Sequence, residues 1–322
     1  MKRASSRPRI AILGGGQVGR ALAVELLYRG HRLLHDEPLL VWSRSSHSVR
    51  RLREQVPEVA RRLCVMRSVK RTSSAADVLW LCVAEHALAS VIRRISRADS
   101  RSKKPIALIS SGFLPLSSLA PLERKGWAVA RAHPLTPIPA GQEHTSPLHR
   151  ARYAIEGDAY AARAATRLVR GIRGIPFLLS KRPGAAQDYH AGASLLSGGL
   201  VALLHQCERV MADTFDSPAE VRSALAHLAG NTLWYAHLLG PEAALTGALS
   251  RGSVELTRGH LAALAAVPEA LDLYRHLGTT MLELARSRGS IDEATRRRLR
   301  ALLASEPVRR ASPRRRGRRP GG

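Results

Sequence analysis

The residues whose types and spacing could do chemistry lie in two places. Near the start is Gly14-Gly15-Gly16-Gln17-Val18-Gly19, and in the second half are Tyr189-His190 and a segment holding Thr246, Arg251 and Ser253. Gly14-x-Gly16-x-x-Gly19 has the spacing of a dinucleotide cradle. The first glycine makes a tight turn and the second lets the backbone approach a pyrophosphate. The third lets helix and strand pack closely, and Gln17 and Val18 open the helix whose N-terminus faces the phosphates. Hydride transfer to or from a C=O or C=N bond needs from the protein orientation, a proton donor, and positive charge where negative charge develops. His190 has a side chain suited to donating the proton. Arg251 can hold a carboxylate at two points, and Thr246 adds a hydroxyl to the same segment. Other readings stay open at these positions. A single His on an apolar helix is also the pattern of a packing residue, and Arg251 also fits a helix-capping or interface ion pair.

Positioning these groups requires a strand before the glycines and a helix after them. Ile10-Ala11-Ile12-Leu13 is a short apolar run, and Gln17 to Leu27 has helical spacing. A second strand, Leu39-Leu40-Val41-Trp42, ends at Ser43-Arg44-Ser45, where the adenosine ribose of a bound dinucleotide lies. No acid stands there to bind two ribose hydroxyls, while an Arg between hydroxyls suits a 2′-phosphate, so NADP is expected over NAD. Arg44 also fits one more surface arginine of an Arg-rich chain. Further apolar runs at Asp77–Val83, Ile106–Ile109, Trp127–Ala130 and Tyr153–Ile155 predict an α/β fold, a Rossmann-type doubly wound parallel sheet. Val83, Ser110 and Ser111 occupy strand ends that should face the cofactor, and His133-Pro134-Leu135 is a further edge of the pocket. After Ile175–Leu179 the pattern turns all-helical, with helices expected over Gln187–Met211, Pro218–Leu239 and Val254–Arg286. The expected divisions are a basic extension (1–8), an NADP-binding domain (9–180), a helical substrate and dimerisation domain (181–305) and an Arg-rich disordered tail (306–322).

Several words occur in one order: Ser111-Gly112, Leu116 to Leu122, His133-Pro134-Leu135, Ile155-Glu156-Gly157-Asp158, Tyr189-His190-Ala191, Leu245-Thr246-Gly247, Arg251-Gly252 and His260-Leu261. From about Arg9 to about Ala285 the chain resembles the predicted oxidoreductases built from a Rossmann-like domain and the helical domain of unknown function 2520. That family is similar to pyrroline-5-carboxylate reductase, ketopantoate reductase and the phosphogluconate dehydrogenases. The resemblance implies NADP binding and a possible hydride transfer, and helical second domains of this type pair two chains as a homodimer. The glycine turn, the Ser43-Arg44-Ser45 end and the helical second domain together lead to the expectation of an NADP-dependent oxidoreductase acting on a small, anionic carbonyl or imine metabolite. Two departures stand out. The family's Ser-Asn is here Ser197-Gly198-Gly199, and its Arg-Gly-Asp is Arg251-Gly252-Ser253. They leave open a catalytically silent nucleotide-binding or regulatory protein of the same fold.

The formal charge of +26 first points to nucleic acid or an acidic membrane surface. Fourteen of those charges, however, sit in residues 1–9 and 296–322, and the 45 Arg against 6 Lys reflect a compositional bias. The tail leaves open a sequence-independent nucleic-acid arm. Cys64, Cys82 and Cys207 are far apart and give neither a disulfide scaffold nor a zinc site, which fits a reduced cytoplasm. No metal is expected, and neither a signal peptide nor a membrane span is visible. No Gly-x-Ser-x-Gly elbow supports a hydrolase near Gly112.

Overall fold

The computed structural model describes residues 8–305; the tail at 306–322 and the first seven residues lie outside them. The strands are β1 (Ile10–Leu13), β2 (Leu39–Trp42), β3 (Leu63–Val65), β4 (Val78–Leu81), β5 (Ile106–Ile109), β6 (Ala128–Leu135), β7 (Arg152–Gly157) and β8 (Ile175–Leu178). They form one sheet in the order β3-β2-β1-β4-β5-β6-β7-β8. Between them run α1 (Gln17–Tyr28), α2 (His31–Leu34), α3 (Ser46–Gln55), α4 (Val69–Ala75), α5 (Glu85–Ile95), α6 (Ala120–Glu123) and α7 (Ala159–Gly171). Ile10 and Ile12 are buried on one face of the sheet, and Ala11 and Leu13 on the other. A strand buried on both faces reads as a continuous apolar run, which is why β1, β4 and β5 are plain in the sequence.

The sheet is mostly parallel, with one departure from the expected all-parallel arrangement: β7 runs antiparallel to β6. The connection is a loop of 16 residues with a single short helical turn, Glu143–Thr145, and no crossover helix, so the chain returns beside β6 in the opposite direction. β6 also extends past the expected Ala130 to Leu135, and this carries His133 out to the sheet's edge. The short β3 has no counterpart among the expected strands, because Leu63-Cys64-Val65 is too brief to show a period.

Register places the functional ends in a row. Leu13 pairs with Leu81, Leu81 with Ile109, and Ile109 with Arg131. Two residues beyond that line come Gly15, Val83, Ser111 and His133.

The helices that follow are α8 (Ala185–Val210), α9 (Pro218–Leu239), α10 (Pro241–Ala244), α11 (Val254–Leu264), α12 (Pro268–Ser287) and α13 (Glu293–Ala304). The single helix expected over Val254–Arg286 is two. Pro268 has no N–H to continue the ladder and disfavours helical backbone at the residue before it, and Val267 is non-helical at φ −128°, ψ 85°. The chain divides into two compact units within α8, between Ser197 and Gly198. The second unit has its own core of Leu249, Leu282, Ala285, Leu299 and Leu303. Among the described residues no helix is long and apolar enough to cross a membrane, and no group of His, Cys, Asp or Glu is arranged to hold a metal ion.

Candidate active site

The glycine turn is shaped by its neighbours. Gly14 has φ +121°, and a Cβ there would stand 2.3 Å from the Cys82 carbonyl oxygen, so only glycine fits. At Gly19 a Cβ would stand 2.0 Å from the Gly14 carbonyl oxygen, which lets α1 approach the strand closely. At Gly16 a Cβ would meet nothing within 4 Å. Gly14 and Gly19 are therefore required by the protein's own packing, whereas the space at Gly16 is left free. Gly16 is also the N-cap of α1, with no side-chain cap and no acid in the first turn. The first amides of α1 are open to an anion.

The same cleft is lined by Gly14, Gly15, Gly16, Ser43, Arg44 and Val83. Arg44 is exposed there, next to the N-terminus of α3. Ser45 caps that helix by accepting from the Ser48 N–H at 3.3 Å, and its own N–H donates to the Ser43 hydroxyl at 3.2 Å. A guanidinium and a helix N-terminus thus sit together at the end of β2, an arrangement suited to a phosphate. Gln17 is exposed and Val18 partly buried at the start of α1.

Ser110 and Ser111 do different work. The Ser110 hydroxyl lies 3.3 Å from Cys82 Sγ and is buried. Ser111 donates to Glu85 at 3.0 Å and accepts from the N–H groups of Phe113 and Leu114, so its hydroxyl holds the loop after β5. Beneath that loop Arg131 is fully buried. Its guanidinium donates to the Ser111 and Leu114 carbonyls and pairs with Glu156 at 3.0 Å.

Three side chains converge over this loop. The Tyr189 hydroxyl lies 2.8 Å from His133 Nδ1, and the rings of His133 and His190 are 5.7 Å apart in an edge arrangement. Phe113 packs edge-on to His190 at 6.0 Å, and Gln187 donates to the Phe113 carbonyl at 3.1 Å. Gly112 completes the group, since a Cβ there would stand 2.3 Å from His190 Cδ2 and 2.9 Å from His133 Nε2. Burial, reinforced by the charges of His190 and Arg131, pushes His133 down to about 4. Burial pushes the Tyr189 phenol up to about 12. At neutral pH the pair is therefore a neutral imidazole and an un-ionised phenol. His190, on the first turns of α8, also has Ser194 Oγ at 3.5 Å from its Nδ1.

In the second unit, Thr246 and Arg251 are both exposed. Ser253 is the N-cap of α11, accepting from the Leu256 N–H at 3.4 Å. Aspartate and serine are both strong N-caps, so the departure at Ser253 preserves the helix start that the family's carboxylate would provide. Gly198 lies on the exposed surface of α8 with nothing near its missing Cβ.

Residues 9–110 match the family model described as NADP oxidoreductase coenzyme F420-dependent, and residues 151–281 match the model of the domain of unknown function 2520. The chain is a Rossmann protein carrying a domain of unknown function 2520. The second match begins just before β7 and ends within α12, so the DUF2520 segment includes the last two strands of the sheet as well as the helices from α7 to most of α12. Similar solved structures include a Bacteroides fragilis protein assigned as an NADP oxidoreductase (18% identity, 86% of this chain and 98% of that one, TM-score 0.67). A reductive aminase from Aspergillus terreus in complex with NADPH and ethyl levulinate aligns at 19% identity over 91% and 99%, with TM-score 0.62. A pyrroline-5-carboxylate reductase from Coxiella burnetii aligns at 16% over 87% and 97%, with TM-score 0.56. At these identities the Rossmann–DUF2520 chain shares their fold. No curated protein sequence matches it.

Proposed function

We propose that the protein is an NADP-dependent oxidoreductase that transfers a hydride to or from a small carbonyl or imine compound. The observation that carries the reading is one row of strand ends. The open Gly16 turn and the Ser43-Arg44 phosphate corner share a cleft with Val83, and His133, Tyr189 and His190 stand at the same level of the sheet, two strands from Val83. When bound, the nicotinamide supplies the hydride. Gly16 and the α1 N-terminus hold the pyrophosphate, and Arg44 with the α3 N-terminus holds the 2′-phosphate. His190 donates or accepts the proton on the substrate heteroatom, and the Tyr189–His133 pair fixes the wall beside it. The ligands bound to the reductive aminase, NADPH and the keto ester ethyl levulinate, support both the cofactor and the substrate class. Titration with NADPH and NADH tests the reading. NADPH binding in the micromolar range and tighter than NADH is expected, and no binding of either at millimolar concentration sinks it.

The helices also support a homodimer. Of the 26 residues of α8 only Ala186 is buried, and of the 22 of α9 only Val221 and Leu225. Leu195, Leu196, Val201, Leu228, Leu233, Trp234, Tyr235, Leu238 and Leu239 are between 47% and 78% exposed. Exposed apolar side chains in such number along a helix are the signature of a surface that a partner covers. A second copy of this chain is the occupant that covers such a face symmetrically on both molecules.

A further inference from the structure

Arg20 follows the third glycine of the turn and is buried, in a chain whose arginines are mostly exposed. Its Nη1 donates to the Gly15 carbonyl at 2.6 Å, and its Nη2 is bound by the carboxylate of Glu143. Glu143 is fully buried, and its other oxygen accepts from Gln55 Nε2 at 3.0 Å. Replacing such a buried pair by apolar side chains costs a fold little, so its presence calls for a role beyond stability.

The geometry points to that role: Arg20 is a positioning residue that braces the glycine turn by holding the Gly15 carbonyl inward, so that the Gly16 N–H is aimed into the dinucleotide cleft, and Glu143 holds Arg20 in place. A trans peptide directs its C=O and the following N–H in opposite directions. With the Gly15 oxygen drawn toward Arg20, the Gly16 N–H faces the other way. Among the described residues that N–H has no protein acceptor, and the space where a Gly16 Cβ would stand is empty. A run of three glycines has little steric resistance to rotation of its peptide planes, so an external brace is what keeps one orientation populated. Glu143 belongs to the loop that leaves β6 just after His133. The brace therefore ties the phosphate turn to the segment that carries the candidate catalytic cluster. This inference rests on the cofactor reading above, and its test separates the two.

The double variant Arg20→Leu/Glu143→Leu removes the brace without leaving either charge unpaired. The Gly15 carbonyl ¹³C shift, which senses the Arg20 hydrogen bond, is measured in the unliganded protein. Affinities are then measured for NADPH and for adenosine 2′-monophosphate, which lacks the pyrophosphate. Expected are a displaced Gly15 signal, an NADPH Kd raised at least about tenfold (~1.4 kcal/mol), and an adenosine 2′-monophosphate Kd within about twofold of the parent. An unmoved Gly15 signal, unchanged NADPH affinity, or equal loss of both ligands overturns the brace. If the parent protein binds neither nucleotide, the cofactor reading fails, and the Gly15 signal alone decides the brace. Should the double variant not fold, Arg20→Lys carries the same measurements, because an ammonium cannot serve the carbonyl and the carboxylate in the guanidinium's geometry.

Discussion

His133 Nδ1, at the end of β6, is 2.8 Å from the Tyr189 hydroxyl at the start of α8, and both groups are held in their neutral forms. The last long strand and the first long helix are thereby joined by one hydrogen bond beside His190. Replacing Tyr189 by Phe removes that bond and leaves the ring packed on Phe177. Loss of a hydrogen bond of this kind costs about 1 kcal/mol of stability. Reductase activity should fall further than the stability does, by about tenfold or more, because the wall beside the proton donor is no longer fixed. Thermal unfolding and steady-state rates on one preparation check this, and a rate unchanged from wild type removes Tyr189 from the site.

The depressed His133 also sets a pH dependence of stability. Its folded pKa of about 4 lies below the usual value of 6.5, so between those values the unfolded chain binds more protons than the native one. Its stabilising effect is complete above about pH 6.5 and is lost as pH falls toward 4. The loss is on the order of 2–3 kcal/mol. His133→Gln should flatten the fall in Tm over this range. A variant curve parallel to the wild type from pH 6.5 to 4 contradicts the assignment.

At the other end of the cleft, Arg44 is exposed beside the α3 N-terminus, and its expected ligand group is a 2′-phosphate. Arg44→Ala should raise the Kd for NADPH by about tenfold, the size of one charge-assisted hydrogen bond. The NADH Kd should be unchanged, since NADH has no 2′-phosphate. Equal effects on the two cofactors would place the guanidinium elsewhere on the ligand.

Gly112 is the narrowest point of the cluster, and its backbone needs no positive φ. The first atoms an alanine Cβ meets there belong to the two imidazoles. Overpacking of this kind typically costs 1–3 kcal/mol, and relief comes from displacing His190, whose Cδ2 is nearest. Gly112→Ala should therefore keep NADPH affinity near the wild-type value while lowering turnover by at least about tenfold. Loss of cofactor binding instead would mean that the loop after β5 serves the nucleotide and not the substrate.

Much of this was legible in the residues. The glycine turn is a local motif whose steric demands are written in three positions, and Ser43-Arg44 sits where the end of β2 must be. His133, Tyr189 and His190 each stand in a recognisable word, yet their meeting depends on β6 running five residues further than its apolar stretch. No local period reports that, because Arg131 and His133 interrupt the hydrophobic pattern. Arg131 and Arg20 were hidden for the opposite reason. In a chain with 45 arginines nothing distinguishes a buried guanidinium from a solvated one until its partners, Glu156 and Glu143, come from distant segments. The reversal at β7 was equally silent, since antiparallel pairing follows from the path of the 136–151 loop. Ser253 shows how a position that reads as a lost carboxylate can serve as a helix cap in three dimensions.

The exposed apolar side chains of α9 carry the last prediction. Trp234, Leu238 and Leu239 follow one another along its final turns at 58%, 55% and 57% exposure, while burial at the other end is confined to Val221 and Leu225. A helix of 22 residues with so little of it buried draws little stability from its own chain, because helices in proteins are held mainly by packing of their apolar face. If a second copy supplies that packing, folding and association are linked, and Tm rises with protein concentration. Sedimentation should give a dimer near 70 kDa, about twice the 35.0 kDa chain. Trp234→Glu places a charge in the covered face, whose desolvation is costly. It should shift the population to monomer and abolish the concentration dependence of Tm. A monomer at micromolar concentration in the parent protein, with Tm independent of concentration, would show that another partner covers α9.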